Sequence, residues 1–198
     1  MLTHADILPL QTFEQIRSSK KQEILQLKKN RRVAVGPDVT FYFENTQTIW
    51  WQIQEMLRIE KGGDEQITDE LSAYNPMIPG RCEKGYEISA TMMIEIDDEV
   101  RRKVVLSQLF GIDQHIMFEL PNATIPAFSI GPTEERNRES DHKTSAVHFL
   151  KWVVPVDKVS AFLSEESYLM INHPYYLFKV SVPLALKDSF KADFEVMN

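Results

Sequence analysis

Between about Thr46 and Arg58 the chain gathers Trp51, Gln52, Gln54, Glu55 and Arg58 into a candidate helix, with Glu60 two residues beyond. A wheel at about 100° per residue puts Ile49, Ile53, Met56 and Leu57 on an apolar face. Trp51, Gln54, Glu55 and Arg58 project away from that face, whereas Gln52 and Glu60 fall inside its arc. An outward Trp covers a neighbouring element or lies at an interface, so this side is the first candidate for a partner or ligand surface. Glu55 and Arg58 are spaced i, i+3 and are expected to pair with each other, a bridge that contributes only a few tenths of a kcal/mol. Polar groups on the apolar side need partners. For Glu60 the candidate is Arg102, which shares the apolar arc of Val105, Leu106, Leu109 and Phe110; an exposed last helical turn is the alternative.

Carboxylates Glu44, Glu55, Glu60 and Glu95 could converge as acid/base groups or hard-metal ligands, since both tasks need oxygens held close together in a sheltered pocket. Five histidines, at positions 4, 115, 142, 148 and 173, show no His-x-x-x-His spacing, and one cysteine, Cys82, supplies no pair for zinc. No helix carries the Glu-x-x-His of a di-iron bundle. His148 shares a strand face with Ala146, Leu150 and Trp152, which favours a hydrogen-bonded core histidine over a metal ligand. The weaker alternative is a mononuclear non-haem metal site using His148, His173 and a carboxylate. No motif implies any other cofactor. Cys82, near Arg81 and Lys84, reads as an ordinary free thiol.

These residues must be positioned by elements that the periodicity outlines. Phe13, Ile16, Ile24 and Leu27 predict a long amphipathic helix over about 11–30, with Lys28 and Lys29 complementing its C-terminal dipole. Val33 to Val35 and Val39 to Phe43 flank Gly36-Pro37-Asp38, a hairpin signature. Residues 86–96 alternate cleanly, with Tyr86, Ile88, Ala90, Met92, Ile94 and Ile96 on one face and Glu87, Ser89, Thr91, Met93 and Glu95 on the other. Asp97 and Asp98 start a helix reaching Phe110 and ended by Gly111. Further strands are expected at 115–120, 125–130, 145–154 and 175–182, with one short helix near 157–164. The polar stretch 133–144 reads as a solvated loop.

Without regular βαβ alternation, the pattern predicts one α+β domain over 1–198. Its parts are the N-terminal helix at about 11–30, a mixed region at 31–111 and a strand-rich region at 112–198. An antiparallel or mixed sheet of about six to seven strands is expected, with helices on one face. A formal net charge of −7 works against nucleic acid and anionic membranes. The basic run Lys28, Lys29, Arg31 and Arg32 lacks the interleaved aromatics of a nucleic-acid groove. One cysteine, no signal-peptide pattern and no span of roughly 20 apolar residues point to a cytoplasmic, non-membrane protein, free to form a homo-oligomer.

The runs Arg31 to Pro37, Phe43-Glu44-Asn45, Gln52 to Glu60, Glu70-Leu71, Tyr74-Asn75-Pro76, Ala90 to Glu95, Lys143 to Leu150 and His173-Pro174 together resemble an uncharacterised bacterial family, domain of unknown function 3501. The resemblance adds Tyr74 and Asn75 to the candidate pocket or partner-binding residues. It also implies a gene neighbourhood of rubrerythrin-like and iron–sulfur proteins, hence an accessory or binding protein of a redox or peroxide-stress system. A metal-dependent or acid/base enzyme built on a Glu/His/Arg constellation is the alternative. Where the family pattern carries an acidic residue before His-Pro, this chain has Asn172, which argues against a ligand at that position.

Overall fold

Gly36 sets the first turn of the sheet. Its φ of +74° suits glycine, and a Cβ there would lie 2.7 Å from the Phe178 ring and from Tyr176 Oη. The turn joins β1 (Arg32–Val35) to β2 (Val39–Glu44) as the predicted antiparallel hairpin. The computed structural model describes residues 1–130, 143–164 and 166–197, together with the backbone of 137–138. Most of the polar stretch 133–144 therefore lies outside the described residues.

Strand β2 pairs with β4 (Gly85–Ile94), and β4 with the long β10 (Val147–Pro155). Short β3 (Arg81–Cys82) extends the β2 side of β4, and β7 (Phe128–Ile130) closes the β10 edge. All pairings in this six-stranded sheet are antiparallel, in the order β1, β2, β4, β10, β7. The α+β class and the large sheet agree with the sequence reading. A second, four-stranded sheet was not expected: β12 (Tyr176–Ser181), β11 (Tyr168–His173), β5 (Ile116–Leu120) and β6 (Ala123–Pro126). The division arises because β5, β6 and β11 pair with one another instead of joining β10. A short ribbon pairs β8 (Asn137–Arg138) with β9 (Lys143–Thr144).

Side-chain alternation gives the large sheet two unlike faces. Its inner face meets the second sheet through Phe41, Phe43, Leu150 and Trp152 against Phe118, Leu169 and Ile171, all buried. The short helix α5 (Val159–Ser164) contributes Phe162, and the C-terminal helix α6 (Leu184–Val196) contributes Leu186, Phe190 and Phe194. Helix α6 is a correction to the strand-rich reading of 112–198. Its apolar residues recur every four positions after Pro183, a helix signal overshadowed by the β-branched runs before it. Helices are also not confined to one face, since α5 and α6 close the inner core.

The outer face is covered by α2 (Thr46–Glu60) and α3 (Gly63–Tyr74), with α1 (Leu10–Lys29) laid over α2. Helix α4 (Glu99–Gln108) begins at Asp98, whose side chain accepts from Arg101 N, and Gly111 follows in the left-handed region. Among the described residues no helix is long and apolar enough to cross a membrane.

Candidate functional site: a cleft between the large sheet and α2

Asn45 fixes the start of α2. Its Oδ1 accepts from Gln47 N at 3.1 Å and Thr48 N at 3.0 Å, while Thr48 Oγ1 accepts from Asn45 N at 2.9 Å. This reciprocal cap satisfies otherwise orphaned helix amides and immobilises the Thr48 hydroxyl. That hydroxyl donates to Glu44 Oε2 at 2.5 Å, so the cap that starts the helix also orients the last side chain of β2. Across the β2–β4 ladder, Thr91 Oγ1 donates to Glu44 Oε1 at 2.9 Å. Both carboxylate oxygens are thereby held.

Register explains the rest of the wall. Cross-strand partners share a face, and Arg32, Tyr42, Thr91, Phe149 and Ile130 stand in one row across the outer side of the sheet. Beside it run Ala34, Thr40, Met93 and Val147. Where α2 and the end of α3 cross these rows they leave a cavity of about 410 Å³. Glu44, Tyr42, Thr91, Gln52 and Tyr74 supply its polar lining. Ile49, Met77, Met93, Val147 and Phe149 supply the apolar part, and Lys28 from the last turn of α1 completes the lining. The volume falls in the range of small-molecule sites, and the mixture of apolar surface with a few convergent polar groups is their usual chemistry.

At the exposed end of the same face, Tyr42 Oη donates to Glu95 Oε1 at 2.8 Å, and Thr40 Oγ1 donates to Glu95 Oε2 at 2.6 Å. The Thr40 bond, with Tyr42 and Arg32 assisting against some desolvation, holds the Glu95 carboxyl below its ordinary range. Burial, reinforced by Glu95, raises the Tyr42 phenol. Burial raises Tyr74 as well, against an opposing hydrogen bond with Gln52. Both phenols keep their protons near neutrality, so the walls offer hydroxyls rather than phenolates.

The sequence candidates separate into groups. Glu44, Gln52 and Tyr74 converge on the cavity, and Glu95 reaches it through Tyr42. The outward side of α2 is not a free surface, which corrects the first expectation. Trp51 is 8% exposed and packs on Phe13 of α1 at a ring distance of 5.5 Å, and Gln54 is 2% exposed. Glu55 and Arg58 do not pair with each other. Glu55 binds Arg17 (2.7 Å) and Arg58 binds Glu14 (2.7 Å), because α1 brings its own charges to that side.

Other expected pairings also give way. Glu60 lies at the exposed helix end and accepts from Gln66 Nε2 at 2.8 Å, whereas Arg102 Nη1 donates to the Ile96 carbonyl. Asn75 clasps the N-terminal segment, accepting from Leu2 N and donating to Leu2 O, both at 2.9 Å. His148 is buried in the inner face, with Nε2 2.9 Å from the Ser145 carbonyl and 3.0 Å from Thr144 Oγ1. His173, on the other sheet, accepts from Tyr175 N and lies 3.3 Å from the Phe110 carbonyl. Desolvation lowers its pKa, consistent with a neutral ring. The Glu/His/Arg constellation is thus distributed over several places. Among the described residues, no three His, Cys, Asp or Glu side chains form a metal-holding group.

A larger, more open cleft of about 770 Å³ lies between α6, the start of α2 and the α1–β1 junction. Buried Arg31 Nη2 binds both Asp193 oxygens at 2.7 and 2.8 Å, and Asn45 Nδ2 donates to Asp193 at 3.3 Å. The Arg31–Asp193 pair ties α6 to the sheet. Part of the basic run is therefore buried structure, with Arg31 inside rather than solvated.

Sequence reasoning missed Tyr42, Thr48 and Lys28 as contributors, and placed Thr91 only on a polar strand face. The usable signal was Tyr42 and Thr91 alternating with buried Phe41, Phe43, Ala90 and Met92, since polar residues opposite a helix-covered face need partners. A family model described as "Protein of unknown function (DUF3501)" matches residues 1–194. A crystal structure of a novel protein of unknown function from Burkholderia pseudomallei K96243 superposes with a TM-score of 0.85 at 29% identity, over 98% of each chain. No curated protein matches the chain.

Proposed function

We propose that this chain, which belongs to the DUF3501 family of proteins of unknown function, is a small-ligand-binding protein whose site is the cavity between the large sheet and α2. The observation that carries the reading is the convergence of Glu44, Tyr42, Thr91, Gln52 and Tyr74 over an apolar lining in about 410 Å³. The polar groups are held by their neighbours before any ligand arrives, which lowers the ordering cost of binding. Their arrangement suits recognition more than catalysis. Glu44 is clamped on both oxygens and the neighbouring phenols retain their protons, so no group stands ready as a nucleophile or strong base.

The test is binding of a neutral fluorescent probe, N-phenyl-1-naphthylamine, with and without Val147→Trp, which places an indole in the cavity from the half-open edge of β10. Saturable enhancement in the parent protein that disappears in a folded Val147→Trp variant is expected. Binding unaffected by the substitution would remove the cavity as the site.

The setting we attach to this reading is an accessory protein of a bacterial, cytoplasmic redox or peroxide-stress system, with rubrerythrin-like or iron–sulfur proteins as partners. Its support is the gene neighbourhood that the family resemblance implies. Stoichiometric capture of a rubrerythrin-like protein from the same genome by the immobilised chain is the expected result; no capture at micromolar concentrations would remove the setting and leave the cavity reading intact.

A further inference from the structure

We infer that the cavity recognises a primary ammonium group carried on a small apolar body, an inference that rests on the cavity being a ligand site. The reason is where the hydroxyl protons go. Thr91 gives its proton to Glu44 Oε1 at 2.9 Å, and Tyr42 gives its proton to Glu95 Oε1 at 2.8 Å. Thr48, behind the wall, gives its proton to Glu44 Oε2 at 2.5 Å. What Thr91 then offers to the cavity is lone pairs, whereas Tyr42 Oη also takes a hydrogen bond from Arg32. Glu44 adds the unused lone pairs of a carboxylate, which has about four acceptor sites and only two occupied.

This part of the lining is therefore an acceptor array bearing a negative charge. An alkylammonium has only donors and a positive charge, and so suits the Glu44 carboxylate and the Thr91 lone pairs. An alcohol has one proton to give and brings no charge to Glu44. A carboxylate would meet Glu44 with like charge and no donor from Thr91 or Tyr42; the donors left to it in the lining are Lys28, Gln52 and Tyr74. Beside the acceptors on the same sheet face, Phe149, Met93 and Val147 offer an apolar surface for the rest of the ligand. The Phe149 ring adds a face that attracts cations, while the Tyr42 ring already carries the Arg32 guanidinium at 5.5 Å.

Calorimetric titration with benzylammonium, benzyl alcohol and benzoate tests the assignment. Benzylammonium is expected to bind at least about tenfold more tightly than either of the others. Glu44→Gln should weaken benzylammonium by about tenfold or more and leave benzyl alcohol within about twofold. Should Glu44→Gln fail to fold, Thr91→Val removes one acceptor and should weaken the ammonium alone. Equal affinities for the three probes, all abolished by Val147→Trp, would overturn ammonium recognition and leave the ligand site standing. No binding of any probe, or binding indifferent to Val147→Trp, would overturn both.

Discussion

The two faces of the large sheet are made by the same strands and do opposite work. On the inner face, Trp152 lies 6.0 Å from Phe43 and 5.0 Å from Phe118, and Phe43 meets Phe190 edge-on at 5.1 Å. These rings are fully buried and interlock between two sheets and α6. On the outer face the same strands present Thr40, Tyr42, Glu44 and Thr91, and the helices above them leave a cavity instead of closing on it. Apolar rings can fill space in many orientations, whereas hydroxyls and carboxylates must be held where their partners are, which leaves room between them. The contrast assigns stability to the inner face and recognition to the outer one.

The comparison can be broken by substitutions of decreasing effect. Phe43→Ala should cost about 3–5 kcal/mol in chemical denaturation, because it opens a cavity among four aromatic neighbours. A cost below about 1 kcal/mol would mean the inner face is not the stabilising one. Asp193→Ala should cost about 3 kcal/mol, since it leaves Arg31 buried without its carboxylate partner. Glu44→Gln should change stability by no more than about 1 kcal/mol, because both hydroxyl partners can still bond the amide. A larger loss in the same denaturation assay would make Glu44 a structural residue.

Smaller still is the clasp of α1. Glu55→Gln should cost up to about 1 kcal/mol, as expected for a half-exposed ion pair. Arg17 holds the Glu55 carboxyl below its ordinary range, so the clasp is fully present above that range and is lost as pH falls through the lowered value. Thermal melts of the parent protein and Glu55→Gln should therefore converge as the solution is acidified. His173 acts in the same direction: burial lowers its pKa, so the unfolded chain takes up a proton first and stability declines as pH falls below about 6.5. His173→Phe should flatten that part of the profile.

Local patterns were legible where one rule governed the residue. The alternation of 86–96, the Gly36 turn, the Asp98 cap and the buried placement of His148 were all readable from neighbours in the chain. Gln52 was legible as a polar residue on the inward side of α2. Trp51 and Arg58 were misread because a wheel shows which way a residue points and not what else is laid there; α1, with Phe13 and Glu14, decides both. The division into two sheets, and the meeting of Glu44 with Thr91 and Tyr42 at one cavity, depend on strand pairings between distant segments. No local period encodes those.

The most direct measurement is a crystal structure of the protein grown with benzylammonium. The account predicts the ligand between the sheet and α2, its nitrogen within hydrogen-bonding distance of Glu44 and of the Thr91 hydroxyl oxygen, and its ring against Phe149. An unchanged empty cavity at saturating ligand, or the ligand held elsewhere on the molecule, would contradict it.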